Sequence, residues 1–84
     1  MSAGQLTFLE PSIARAARAH TGLTQIGLGR AAGLASRTVH KLEKDGWITE
    51  ESMMKILAAL SREGIVMLRD EKGVIYGCRG PERS

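Results

Sequence analysis

Residues 24–43 read TQIGLGRAAGLASRTVHKLE, and this stretch decides the fold that the sequence predicts. It opens with a threonine, a typical helix N-cap, and Gly33 ends the short helix that follows, because glycine readily adopts the left-handed backbone of a helix C-cap. The inward residues of that helix are predicted to be Leu28, Ala31 and Ala32. A second helix is predicted from Ser36 to Lys44, with Val39 and Leu42 on its buried side. The stretch therefore predicts two short helices joined by a tight turn.

One further helix is predicted before this stretch and another after it. Pro11 suits the first position of a helix over roughly residues 11–20, since its missing N–H is not needed there. The residues predicted to share the inward face of that helix are Ile13, Ala16, Ala17 and His20. Thr49 is an N-cap for a helix that continues to Arg62 or Glu63. Its apolar face follows the i, i+3, i+4, i+7 rule at Met53, Ile56, Leu57 and Leu60.

The composition changes after Gly64, where the pattern becomes typical of β-strands. Two β-prone runs, residues 65–68 and 74–76, flank Asp70-Glu71-Lys72-Gly73, which suits a hairpin turn. Both strand faces are partly apolar, although only one face can rest on the helices. The other face is explained by pairing with a second copy of the chain or, alternatively, by packing wholly on the chain's own helices.

Length and composition limit the classes of function. The chain has 84 residues, 43% of them hydrophobic and 4% aromatic, which suits one small helical domain. No apolar run approaches a membrane span and no secretory signal precedes the first helix, so we expect a cytoplasmic protein without a membrane partner. One cysteine cannot form an internal disulfide, and with two histidines it makes no recognised zinc spacing. We expect neither a metal nor a cofactor.

The net charge of +3 is distributed unevenly along the chain. Residues 11–44 carry six basic residues against one acidic residue, whereas residues 45–84 carry six basic and seven acidic residues. Such a positive block can attract phosphate groups, although solvated helix faces are commonly basic as well.

Together these features resemble the helix-turn-helix of phage Cro and repressor proteins and their bacterial relatives, often called the XRE family. The matching residues are Arg18, Gln25, Gly29, Gly33, Val39, Leu42 and Glu43. In that family an arginine of the first helix pairs with the glutamate that ends the third, which here implies a pair between Arg18 and Glu43. The resemblance covers roughly residues 10–62. It implies a mostly α fold, a four-helix helix-turn-helix domain of the repressor type with a C-terminal β-hairpin.

The resemblance also implies where DNA would lie. The residues it places at base edges in the major groove are Ser36, Arg37 and Lys41, and those it places at the DNA backbone are Thr24, Gln25, Arg30 and Lys44. Arg37 is the best candidate for direct readout, because a guanidinium can donate two hydrogen bonds to guanine O6 and N7. The alternative for these side chains is a merely solvated basic helix.

Two features depart from the family pattern, the cap of the third helix and the pair of glycines in the second. Ala35 occupies the N-cap position of the third helix, where the family usually has serine or threonine, and loss of a cap typically costs about 1 kcal/mol. Gly27 and Gly29 lie inside the second helix, where each costs about 1 kcal/mol relative to alanine. Tertiary packing therefore has to hold this helix in place.

These observations predict a sequence-specific transcriptional regulator, a repressor that binds an inverted-repeat operator in double-stranded DNA as a homodimer. The predicted parts of the chain are an N-terminal segment (1–10), the DNA-binding domain (11–63), a hairpin that could mediate dimerisation (64–79) and a flexible tail (80–84). The alternative is a protein-binding module of the same fold, an antiactivator or antitoxin-like partner of another regulatory protein, which the modest net charge favours. We do not expect an enzyme, because no acid, base and nucleophile converge.

Overall fold

The computed structural model describes residues 4–81, which form four helices and two antiparallel two-stranded hairpins. In chain order the elements are β1 (Leu6–Phe8), α1 (Pro11–Thr21), α2 (Gln25–Ala32), α3 (Ser36–Asp45), β2 (Trp47–Thr49), α4 (Glu50–Arg62), β3 (Val66–Arg69) and β4 (Ile75–Arg79). The predicted mostly helical class, with four helices and a C-terminal hairpin, is confirmed. The beginning of the predicted N-terminal segment, residues 1–3, and the end of the predicted tail, residues 82–84, lie outside the described residues.

The ends of the helices follow the capping residues in the sequence. The Thr24 hydroxyl accepts a hydrogen bond of 2.9 Å from the Gly27 N–H, and the Thr49 hydroxyl accepts one of 3.1 Å from the Ser52 N–H. These bonds satisfy N–H groups that have no partner within their own helices. Gly33 ends α2 with a φ of 74°, a backbone conformation that side chains disfavour. The predicted N-caps of α2 and α4 and the predicted end of α2 are therefore confirmed.

All four helices, strand β2 and two connecting segments contribute to one core. Its largest fully buried side chains are Leu28, Val39, Leu42, Ile56 and Leu60. Leu9, Ile48 and Ile65 join this core from outside the helices, each at most 4% exposed. Burial of such side chains contributes about 1.5–3 kcal/mol each, so the core is the main source of stability.

The predicted inward faces of α1 and α2 are confirmed at Ala17, Leu28 and Ala32 but are wrong at three other positions. In α1, Ala14 is buried beside Ala17, whereas Ala16 and His20 are exposed. In α2, Ala31 is exposed. Both helices contain small residues on several sides, and a small side chain gains little from burial, so apolar periodicity gives a weak indication of the inward face.

Part of the predicted N-terminal segment is a strand, β1, that pairs with β2. The register places Leu6 opposite Thr49, Thr7 opposite Ile48 and Phe8 opposite Trp47. We call this two-stranded unit the β1–β2 ribbon. It turns Ile48 into the core and leaves the Phe8 and Trp47 rings partly exposed, with their centroids 5.1 Å apart.

The C-terminal hairpin, β3 with β4, packs one face on the helices. Met67, Ile75 and Cys78 lie against the core, and burial raises the pKa of the Cys78 thiol. Two apolar side chains of the hairpin, Val74 just before β4 and Tyr76 within it, are 57% and 64% exposed. The hairpin therefore covers part of the core and also presents apolar side chains to solvent.

Candidate nucleic-acid interface

Helix α3 turns one side to the core and the opposite side to solvent. Val39, Leu42 and Glu43 are its buried residues. Successive residues of an α-helix are rotated by about 100°, so three basic side chains lie on the side opposite the core. They are Arg37, Lys41 and Lys44, all exposed, and we call this strip the α3 basic face. It combines two of the predicted base-contacting residues with one predicted backbone-contacting residue, while the third base candidate, Ser36, is exposed in the first turn.

The start of α3 is positioned by a close contact with α2. A Cβ at Gly29 would lie 2.8 Å from the Leu34 carbonyl oxygen and 3.4 Å from Ser36 Cα, so a larger residue would force the two helices apart. The Leu34 N–H donates a hydrogen bond of 2.8 Å to the Gly29 carbonyl. Ala35 is the N-cap of α3 and makes no side-chain hydrogen bond there. Packing against Gly29 thus fixes a helix start that lacks a side-chain cap.

The two residues predicted to pair, Arg18 and Glu43, hold α3 on α1. Arg18 Nε lies 2.6 Å from Glu43 Oε2, and Arg18 Nη2 lies 3.0 Å from Oε1. The third guanidinium nitrogen, Nη1, donates to the Leu23 carbonyl at 3.0 Å. Glu43 is only 5% exposed. A bidentate pair of this kind fixes orientation as well as distance, so the pair sets how α3 is presented to solvent.

The electrostatic surroundings of Glu43 keep its carboxylate charged at neutral pH. Burial raises the pKa of Glu43, but hydrogen bonds from Arg18 and Gln25, with the nearby charges of Arg18 and Arg15, lower it by more. The net pKa lies below its ordinary value. Correspondingly, the hydrogen bond to Glu43 raises the pKa of Arg18 despite some desolvation. The Arg18–Glu43 pair between α1 and α3 is therefore held by charge-assisted hydrogen bonds.

The cations of the α3 basic face differ in their partners. Lys41 Nζ lies 2.9 Å from Asp45 Oδ2, one helical turn further on. That hydrogen bond, together with one from the Trp47 N–H, lowers the pKa of Asp45. Arg37 makes no ion pair or side-chain hydrogen bond with any part of the chain between residues 4 and 81. Arg37 is therefore available for a ligand, whereas Lys41 already has a local counter-charge.

The predicted backbone-contacting residues lie in three places. Thr24 and Gln25 are at the start of α2, where the Thr24 hydroxyl is used as a cap and Gln25 Nε2 donates to Glu43 Oε1 at 3.2 Å. Lys44 lies nearby, since it and Gln25 line the same surface pocket of about 260 Å³. Arg30 is exposed in the last turn of α2, at the opposite end of that helix.

The sequence did not single out Arg15, which also lines this surface pocket. Arg15 Nη1 donates a hydrogen bond of 2.7 Å to the Glu43 carbonyl in the last turn of α3. The guanidinium of Arg15 therefore adds a positive charge beside Lys44. The available signal is the spacing from Arg18, since residues three apart in a helix share a face.

A second unforeseen feature is a groove between α3 and the β1–β2 ribbon, with a volume of about 400 Å³. We call it the α3 groove, and its lining residues are Leu6, Arg37, Thr38, Lys41, Ile48, Thr49 and Ser52. Leu6 is 54% exposed in this groove. The predicted base-contacting residues Arg37 and Lys41 therefore have an apolar neighbour contributed by the N-terminal strand.

Comparison with known proteins adds no family assignment. No family model matches the chain, and no curated protein is significantly similar to it. Between residues 4 and 81, no helix has the length and apolar character to cross a membrane. Over the same residues, no three His, Cys, Asp or Glu side chains come together in a way that could hold a metal ion.

Proposed function

We propose that this protein is a sequence-specific DNA-binding regulator of transcription that uses α2 and α3 as a helix-turn-helix. The observation that carries the proposal is the α3 basic face. It is exposed on a helix whose orientation is fixed by the buried carboxylate of Glu43, and its leading cation, Arg37, has no partner among residues 4–81. A rigid helix with exposed cations is suited to enter the major groove, which is wide enough to admit an α-helix.

Different residues supply specificity and affinity. Ser36, Arg37 and Lys41 are proposed to read base edges, and Arg37 has the geometry to donate two hydrogen bonds to one guanine. Lys44 and Arg30 are proposed to lie near phosphates, along with the α2 N-terminus, whose partial positive charge favours anions. Phosphate contacts fix the position of the protein without reading sequence, so the two groups of residues are separable by mutation.

Repression by occlusion of a promoter is the proposed outcome, because occupancy of DNA alone is enough to block transcription. A homodimer joined through the C-terminal hairpins would bind an inverted repeat. Its half-sites would be about 34 Å apart, one turn of the double helix.

The first test is selection of bound duplexes from a random DNA pool at a stated salt concentration. We expect an inverted repeat to be enriched. Arg37→Ala is then expected to weaken binding to the enriched duplex by about 1–3 kcal/mol and to relax the preference at one base pair. Lys44→Ala, the matched control on the same face, is expected to weaken all sequences equally and to flatten the dependence of binding on salt.

Fluorescence anisotropy with the enriched duplex and a random duplex distinguishes these outcomes. Equal loss on both duplexes for Arg37→Ala would show that Arg37 contacts only the backbone. Failure to enrich any sequence, with no binding to random duplex at low salt, would contradict the proposal as a whole.

A second candidate function is capture of another regulatory protein through apolar surface. It is favoured by Met54, which is 71% exposed on α4, and by the exposed Val74 and Tyr76 of the C-terminal hairpin. Partner binding of this kind would be insensitive to Arg37→Ala and would be lost in Met54→Lys or Tyr76→Lys. The DNA selection above returns no enriched sequence if this is the function.

A further inference from the structure

The α3 groove contains an apolar side chain that the core does not require. Leu6 belongs to β1, whose neighbouring residue Thr7 is half-buried and lies opposite the buried Ile48. Leu6 lies opposite Thr49 instead and remains 54% exposed. A threonine or another polar residue could hold the same place in the strand, because edge strands tolerate polar side chains. The side chain of Leu6 is therefore available to contact a ligand.

The neighbours of Leu6 in this groove are the residues proposed to read DNA. Arg37 and Lys41 lie one helical turn apart on α3 and both line the groove with Leu6. Thr38 lies between them on the side of the helix that faces the ribbon, and it lines the same space. An apolar surface is thus placed directly beside a guanidinium that makes no ion pair among residues 4–81.

From this arrangement we infer that Leu6 is a specificity-determining residue, which contacts the 5-methyl group of a thymine adjacent to the guanine read by Arg37. The inference rests on the proposed function. Cations at the rim of the groove favour a polyanionic ligand, and the wall formed by Leu6 and Ile48 favours an apolar group on it. Among the groups that base pairs present in the major groove, the thymine methyl is the apolar one.

The contact predicts a composite recognition element. Arg37 donates hydrogen bonds to one base pair, while Leu6, from the opposite end of the domain sequence, excludes water from the methyl group of the next. The β1–β2 ribbon is then part of the reading surface, because the pairing of β1 with β2, the strand that follows α3, is what brings Leu6 beside Arg37. Contact with a deoxyribose instead of a base is a different outcome, and the test below separates the two.

The experiment removes the methyl group from the DNA and the side chain from the protein. In the duplex enriched by the full-length protein, each thymine adjacent to the Arg37-dependent guanine is replaced by deoxyuridine, and Kd is measured by anisotropy. We expect one such replacement to weaken wild-type binding about fourfold, the factor that corresponds to burial of one methyl-sized group. The Leu6→Ala variant should bind the thymine and deoxyuridine duplexes with equal affinity.

Matched variants keep the result interpretable. Met54→Ala removes another exposed apolar side chain, outside the groove, and should retain the fourfold difference between the two duplexes. Leu6→Thr introduces a β-branched residue, which strands favour, and serves in place of Leu6→Ala if that variant unfolds. Circular dichroism checks the fold of each protein before binding is measured.

Each remaining outcome overturns the inference in a distinguishable way. If a guanine depends on Arg37 but no adjacent thymine-to-deoxyuridine replacement changes Kd, Leu6 does not read a methyl group and the proposed function still stands. If Leu6→Ala weakens the thymine and deoxyuridine duplexes equally, and the wild type does not discriminate them, Leu6 contacts sugar or backbone. If no duplex is enriched at all, the proposed function fails and the inference fails with it.

Discussion

Glu43 is the residue on which the presentation of α3 most depends. Its carboxylate accepts hydrogen bonds from the Arg18 guanidinium and the Gln25 amide, and its backbone carbonyl accepts one from Arg15. Glu43→Gln keeps the shape of the side chain but removes the charge, so we expect the free energy of unfolding to fall by about 1.5–3 kcal/mol at pH 7, the range for hydrogen bonds to charged groups. Urea denaturation measures the change. Glu51→Gln, which breaks the exposed contact with Lys55, is the control and should change stability little.

The same pair gives the protein a pH dependence of known sign. The folded-state pKa of Glu43 is below the ordinary value of 4.5, so the unfolded chain binds the proton more tightly. The stabilisation by Glu43 is therefore complete above that ordinary value and is lost as pH falls through the lower, folded-state pKa. We expect the difference in unfolding free energy between wild type and Glu43→Gln to be constant near neutral pH and to shrink below the ordinary value. A difference that stays constant into acid would contradict this.

At the level of single residues, the sequence could predict contacts within a known spacing but not how a polar group is shared. The resemblance to the helix-turn-helix pattern was enough to predict that Arg18 pairs with Glu43. Gln25 was expected at DNA, and in the structure its amide nitrogen already donates to Glu43. That bond depends on how α2 and α3 meet, which no single helix determines.

Among the elements, the β1–β2 ribbon closes against the end of α3 at Gly46. A Cβ at Gly46 would lie 2.6 Å from the Leu9 carbonyl oxygen and would clash with Phe8 Cε1, and the residue also has a φ of 87°. Gly46→Ala should therefore cost more than the 1–2 kcal/mol or so of a left-handed alanine alone. Gly22→Ala is the matched control, because Gly22 is also a helix C-cap with a φ of 77° and has no neighbour within 4 Å. Thermal denaturation that ranks the two variants equally would show that the ribbon does not close on Gly46.

The helices could be predicted from sequence because their ends are local, whereas the ribbon could not. Thr24 and Thr49 cap helices through hydrogen bonds to residues three positions later, a pattern visible in any short window. The strands Leu6–Phe8 and Trp47–Thr49 are three residues each and about forty apart in sequence. Strands this short have no distinct periodicity, and their pairing is specified by burial of Ile48 in a core that forms from other elements. The α3 groove depends on that pairing, so it could not be predicted from the sequence either.

For the whole molecule, the fold raises the question of what covers the exposed apolar side chains of the C-terminal hairpin. Val66, Val74 and Tyr76 are between 42% and 64% exposed, and the two-stranded sheet to which they belong is marginal by itself. If a second copy covers these side chains by two-fold symmetry, both protomers can present α3 to successive turns of one DNA duplex. The hairpin would then act on DNA binding without touching DNA.

Tyr76→Lys tests this arrangement, because two-fold symmetry would bring the two introduced lysines into the same interface, where like charges repel. We expect light scattering at tens of micromolar to give a dimer mass for the wild type and a monomer mass for the variant. On DNA, the variant should bind a single half-site like the wild type but lose about 10²-fold or more of the advantage that two half-sites give a linked pair. Met54→Lys places the same charge on α4, away from the hairpin, and should leave both measurements unchanged. A wild-type monomer mass, with equal affinity for one and two half-sites, would exclude the dimer and leave a single protomer reading one half-site.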